Sequence, residues 1–316
     1  MTSAGADPSM RALRAHSRGG PEVLVTEDAP VPVPGPGELL VAVHAAAVTS
    51  GELGWDETWS RGGRDRTPVV VAHEFSGRVV AAGPGAGRLG DEVYGLAPFD
   101  HDGAAAEFVV VPESFVAMEP RTLSHVRSAA LALSGLTAWQ ALVDHAGLAQ
   151  GESVLVQGAA GGVGVFAVQL ATVLGGRVTA TCRTRDVAFV RDLGAARVID
   201  VDGRTEELAA QRFDVVVDCV GGRAAVEALE LLHPGTGRLV TLSAPLPADT
   251  PQRDRADFFI VAADSTELEA LAELVDRYAL TVPITATYSL DRGREAYETA
   301  ATHGRAPGKI VIDLDG

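Results

Sequence analysis

Residues 153–173 read SVLVQGAAGGVGVFAVQLATV: an apolar run, a glycine-rich turn and an apolar helical segment without interruption. A continuous apolar run of this length suits a strand buried on both faces, the kind found in parallel sheets. The turn that follows is too short for anything but glycine-rich backbone. Gly161, Gly162 and Gly164 let the chain turn tightly, approach an anionic group closely and pack the helix on the sheet, while the helix N-terminus adds partial positive charge. With Ala160 and Val163 between them, these residues are the candidate cradle for a diphosphate. Ala159 stands where such loops usually carry their first glycine.

The same rhythm continues down the chain. SVLVQ, RVTATC, ARVIDV, FDVVVDCV, GRLVTLS and DFFIVA alternate with helical segments, several closed by glycine. This predicts a doubly wound α/β fold, a Rossmann dinucleotide-binding domain with a parallel sheet, over 133–282. Ligands of such sheets gather at the carboxyl ends of strands. Cys219, Val220 and Gly221 after the fourth strand, and Leu242 and Ser243 after the fifth, are therefore candidate cofactor contacts. The second strand ends in Thr181, Cys182, Arg183, Thr184 and Arg185, without the acidic residue that holds the ribose hydroxyls of NAD. Arg183 and Arg185 suit a 2′-phosphate and point to NADPH. The competing reading makes Asp186 a helix cap and the arginines solvated charges.

Before residue 133 the style is different: short alternating runs among many Gly and Pro residues predict a small, irregular, β-rich domain. The strand, helix and strand after Pro283 are expected to pack back on it, which gives one domain from 1–132 and 283–316, with 1–9 a frayed tail. The balance of 42 acidic against 26 basic residues, a formal charge of -16, disfavours nucleic acid and anionic membranes as partners. Two cysteines build neither a disulfide framework nor a thiolate metal cage. No apolar run is long enough to span a bilayer, and the first ten residues lack the pattern of a signal peptide, so the expected location is cytoplasmic.

The segments MRALRAHSRGGPEVLVTEDAPVPVPGPGELLVAVHAAAV, GDEVYGLAPF, AAAEFVVVP, LALSGLTAWQAL, GAAGGVG, DCVGG and APGKIVI together resemble the medium-chain dehydrogenase/reductase superfamily, in its zinc-independent, quinone oxidoreductase-like branch. The resemblance covers nearly the whole chain from Met10. It implies a GroES-like catalytic domain in two sequence pieces, a Rossmann domain between them, an active site in the cleft and a homodimer joined along the DFFIVA strand. The implied activity is metal-free, NADPH-dependent reduction of a quinone or an α,β-unsaturated carbonyl compound. By the same resemblance Thr137, Phe259, Ile260 and Val261 contact the nicotinamide end of the cofactor, and Lys309 its phosphates. Thr49 and Glu52 are the candidate catalytic residues, Thr49 donating to the substrate oxygen and Glu52 positioning ribose or water. Gly54 replaces the tyrosine of relatives, so no aromatic hydroxyl is assigned. Trp55, Trp59 and His73 are the candidate substrate pocket.

The step His73–Glu74 looks like the metal-binding step of the zinc branch. A catalytic zinc needs three protein ligands of the Cys, His or carboxylate type, and Thr49 and Leu133 stand where that branch has cysteines. His73 is expected to be a hydrogen-bonding residue, and no metal is expected. Two further readings remain open: an enoyl reductase of a biosynthetic, polyketide-like pathway, and an NADPH-binding redox sensor without turnover.

Overall fold

A computed structural model describes residues 8–203, 205–302 and 306–315. The chain forms two compact units, residues 134–262 and the remainder, 1–133 with 263–316. Of the tail expected over 1–9, residues 1–7 lie outside the described residues, whereas Ser9 already begins a strand.

Residues 134–262 hold a six-stranded parallel sheet in the order Arg197–Asp200, Arg177–Cys182, Ser153–Gln157, Val215–Asp218, Arg238–Thr241, Ala256–Phe258. The first strand in sequence lies at the centre and the order reverses beside it, the arrangement that opens a crevice at the carboxyl ends. Val154, Leu155 and Val156 are buried, as are Val215, Val216 and Val217, because helices cover both faces. The sixth strand is shorter than the run DFFIVA suggests. Ala262 leaves the ladder because the Gln140 amide donates to its carbonyl and accepts from its N–H, at 2.8 and 3.1 Å. A side chain thereby satisfies backbone groups that a neighbouring strand would otherwise pair.

The other unit is built on a sheet ordered Val116–Met118, Glu92–Leu96, Glu74–Ala82, Glu38–Val48, Lys309–Asp313, Ile284–Ser289, with Phe108–Pro112 also paired to Glu38–Val48. A smaller sheet joins Leu24–Pro30, Ser9–Ala15 and Val69–Val70. Leu13, Val41, Phe75, Val93, Val111, Tyr297 and Ile310 share its core. The late strand Lys309–Asp313 runs antiparallel to Glu38–Val48 with Ile310 opposite Val48, which carries Lys309 to the end of the strand that precedes Thr49.

The sequence reading assigned residues 263–282 to the dinucleotide-binding domain, but they fall in this β-rich unit. Helix Ser265–Tyr278 buries Leu268, Leu271 and Val275, and the Asp264 side chain caps it by accepting from Thr266 and Glu267 amides. Its Leu268 carbonyl accepts from the buried Tyr94 hydroxyl at 2.6 Å. The α/β architecture, with GroES-like and Rossmann parts, is the one the sequence predicts. No helix among the described residues is long and apolar enough to cross a membrane.

Candidate functional site

In the Rossmann unit, strand Ser153–Gln157 enters the turn at Gly158, whose φ of +74° is left-handed. Helix Gly164–Val173 follows. A Cβ on Gly164 would lie 2.2 Å from the Gly158 carbonyl oxygen, so the helix can start this close to the strand only with glycine there. Among the described residues the amides of Gly162, Val163 and Gly164 have no backbone acceptor. These are the orphan donors of a first helical turn, and they suit an anion.

Neighbouring strand ends converge on this loop. The Ala159 amide donates to the Thr181 carbonyl at 3.0 Å, which holds the loop against the end of the second strand. A Cβ on Gly158 would meet Val220 at 3.0 Å and Cys219 at 3.5 Å. Buried Asp218 shapes the fourth turn by accepting from the Val220 and Gly221 amides and the Thr241 hydroxyl. The Leu242 amide donates to the Asp218 carbonyl, and a Cβ on Gly221 would strike Ser243 at 2.5 Å. Ala160 to Gly164, Cys219 to Gly221 and Ser243 are thus brought together.

Past the second strand Arg183 is exposed, and its guanidinium has no partner among the described residues. Arg185 lies 3.5 Å from Asp186. Phe259 stacks on His145, with ring centroids 4.0 Å apart, and Ile260 is exposed. Thr137 is buried in helix His125–Gln140, and Val261 is half-buried. The loop, its free amides and the uncommitted guanidinium fit a dinucleotide.

A second polar cluster lies in the β-rich unit. Glu52 is 1% exposed and His73 2%. The Tyr297 hydroxyl makes a short hydrogen bond to Glu52 Oε1. Burial pushes the Glu52 carboxyl up to about 8, partly opposed by that bond. His73 Nε2 stands 3.9 Å from Glu52 Oε2. Burial, with the charges of Arg66 and His101, lowers the His73 imidazole to about 3. Phe99 bridges two sequence-predicted residues, its ring edge-on to both His73 and Trp55.

Several expectations are corrected here. Thr49 was expected to donate to a substrate oxygen, but its hydroxyl donates to Glu74 Oε1 at 2.8 Å, a charged acceptor being the stronger one. Lys309 was expected at the cofactor phosphates, but its ammonium is buried in an ion pair with Glu74 and donates to Thr49 Oγ1 at 3.2 Å. The register of the last strand puts it there. Trp59 is part of the core, its Nε1 donating to the Leu53 carbonyl at 2.9 Å, and so does not line a pocket. His73, expected to hydrogen-bond, has the Pro98 backbone and Glu52 Oε2 as its polar neighbours, and neither ring nitrogen meets ordinary hydrogen-bond geometry among the described residues. An aromatic hydroxyl is present after all, supplied by Tyr297 from the far end of the chain. Its signal was the buried face Ala296, Tyr297 and Ala300 of helix Gly293–Ala301, since a buried tyrosine needs a partner for its hydroxyl.

The donor set around His73 does not fit a catalytic zinc. Glu74 is already neutralised by Lys309, and its Oε2 accepts from the Leu133 amide at 3.1 Å. Thr49 and Leu133 offer neither thiolate nor imidazole, so the ligand count of such a site is not reached.

The family described as alcohol dehydrogenase GroES-like domain matches residues 35–121, and that described as zinc-binding dehydrogenase matches residues 193–312. The chain is 30% identical to a probable mitochondrial zinc-binding oxidoreductase of Arthroderma benhamiae, over 92% of each chain. It is 31% identical to the chloroplastic quinone oxidoreductase QR1 of Triphysaria versicolor, over 96% of this chain and 98% of the relative. The solved structure of a quinone oxidoreductase from Coxiella burnetii superposes with a TM-score of 0.84 at 30% identity, covering 97% of this chain and all 100% of that one. Strand order, glycine loop and full-length similarity agree: the chain belongs to the medium-chain dehydrogenase/reductase superfamily, in its quinone oxidoreductase-like branch.

Proposed function

We propose that this oxidoreductase uses NADPH to reduce quinones, or other conjugated carbonyl compounds of the enone type, without a metal. The observation that carries the reading is Arg183: an exposed guanidinium with no partner among the described residues, at the end of the strand that the glycine loop touches. A reduced nicotinamide supplies the hydride. The amides of Gly162, Val163 and Gly164 bind the diphosphate, and Arg183 pairs with the 2′-phosphate as a planar fork.

Reduction of a quinone to a hydroquinone consumes one hydride and one proton. Glu52 is the group suited to hold that proton at neutral pH, because burial keeps it protonated up to about pH 8. With Tyr297 donating to Oε1, the proton resides on Oε2, the oxygen nearer His73. His73, 3.9 Å away and neutral throughout this range, holds its proton poorly and leaves Glu52 as the acid of the pair. The quinone reading draws on the names of the relatives. Enones share the chemistry, since they too accept hydride at an electron-poor carbon conjugated to a carbonyl.

Steady-state oxidation of NADPH and NADH against a panel of quinones and enones tests this. NADPH is expected to give the higher kcat/KM, and Arg183→Ala to raise its KM about tenfold or more, the worth of a charge-assisted hydrogen bond, with NADH little changed. Equal preference for the two nucleotides in the native protein refutes the NADPH assignment. Tight NADPH binding with no turnover of any acceptor favours the sensor.

A further inference from the structure

We propose that His44, Glu92 and His125 form a binding site for one divalent transition metal of the zinc class, separate from the Glu52–His73 cluster. One ligand atom from each lies within 4.8 Å of those of the other two. The residues come from strand Glu38–Val48, strand Glu92–Leu96 and the start of helix His125–Gln140, so the tertiary fold alone assembles them.

Each histidine has a carboxylate oxygen on its Nδ1. His44 Nδ1 bonds Asp315 Oδ2 at 2.7 Å, and His125 Nδ1 bonds Glu119 Oε1 at 2.9 Å. A carboxylate on Nδ1 holds the proton there and leaves the Nε2 lone pair for a metal, the pairing that accompanies most metal-bound histidines. Glu92 supplies the third donor. Its Oε2 is buried, has no hydrogen-bond partner among the described residues, and stands 3.8 Å from His44 Nε2. An orphaned carboxylate oxygen facing an imidazole nitrogen is unfavourable in a site that takes up no cation.

The backbone also serves the grouping. The pairing of Glu38–Val48 with Glu74–Ala82 shifts register between Val43 and Ala45, so His44 is the extra residue of a bulge, a device that re-aims a side chain. Ser76 on the facing strand donates to the His125 carbonyl at 2.8 Å and fixes the start of the helix. The two imidazoles stack with centroids 4.3 Å apart. The carboxyl groups of Glu92, Asp315 and Glu119 lie around the two rings. Donors about 2.1 Å from a tetrahedral ion are about 3.4 Å apart, so binding requires one imidazole to turn out of the stack until both ring planes contain the ion. Two imidazoles, one carboxylate and a water complete four-coordination and select zinc-like ions over magnesium or calcium. The bound ion would clamp the helix start and Asp315 to the sheet.

Untagged full-length protein, stripped with a chelator, is titrated with zinc chloride by calorimetry and with cobalt chloride by visible absorption. One equivalent is expected to bind. Affinity is expected to fall at least tenfold in His44→Gln and in His125→Gln, and by a similar factor in Asp315→Asn through loss of orientation. His73→Gln is expected to bind as the native protein does. Far-UV circular dichroism without metal checks that each variant is folded, and Glu92→Gln replaces any that is not. The proposal is overturned if the native protein shows no saturable binding, if His44→Gln and His125→Gln both bind unchanged, or if His73→Gln alone abolishes binding.

Discussion

Glu52→Gln isolates the cost of burying an ionisable carboxyl. The ordinary pKa of 4.5 rises to about 8 in the fold. Below pH 4.5 folded and unfolded chains both hold the proton, and the stability associated with Glu52 is fully present. As pH rises from 4.5, the unfolded chain releases the proton while the folded chain keeps it, so stability falls by about 1.4 kcal/mol per pH unit. The fall ends near pH 8, where the folded chain ionises too, at a ceiling of about 5 kcal/mol. Relaxation and water entry hold the real loss below this ceiling. Glutamine keeps the shape and an acceptor for the Tyr297 hydroxyl but has no proton to lose. The stability of Glu52→Gln relative to the native protein should therefore climb steadily between pH 5 and 8. His73 acts in the opposite direction: its pKa drops from 6.5 to about 3, so its stability is present above 6.5 and is lost as pH falls through 3. That limb is common to both proteins and cancels in the difference. Urea unfolding at half-unit steps from pH 5 to 8.5, followed by tryptophan fluorescence and circular dichroism, measures it. Two pH–stability curves that run parallel throughout would refute the reasoning.

Gly164→Ala should cost about 1–3 kcal/mol, because the added methyl meets backbone that cannot swing aside. It should also weaken nicotinamide nucleotide binding at least tenfold by calorimetry, and unchanged affinity would exclude the loop as the diphosphate cradle. Lys309→Met should destabilise by about 3–5 kcal/mol, read as a drop in Tm, since it leaves Glu74 buried and uncompensated. Adding Glu74→Gln should recover much of that loss; a single variant costing under about 1 kcal/mol contradicts the pair's assigned role.

What was legible from the chain differed between the two units. The strand and glycine-turn segment around Gly161 and the five apolar runs after it carry their structure locally, because buried parallel strands and tight turns each demand particular residue types at short spacing. The six strands of that sheet were read with little error, apart from the end of DFFIVA. There a tertiary contact from Gln140 outcompeted the ladder. The helix Ser265–Tyr278 was recognisable as a helix, but its partner was not. An amphipathic stripe says that a face is buried and is silent about what buries it.

The amino-acid order alone determined the sheet type, the glycine loop and the arginines past the second strand, since neighbours in sequence create each of them. Tertiary structure decided the chemistry of the β-rich unit. Tyr297 meets Glu52, and Lys309 meets Glu74 and Thr49, through strand register and helix packing across hundreds of residues. A one-residue slip in a strand turns its side chains to the opposite face. No local pattern therefore encodes which hydroxyl reaches which carboxyl, or that His44 would come to lie beside His125.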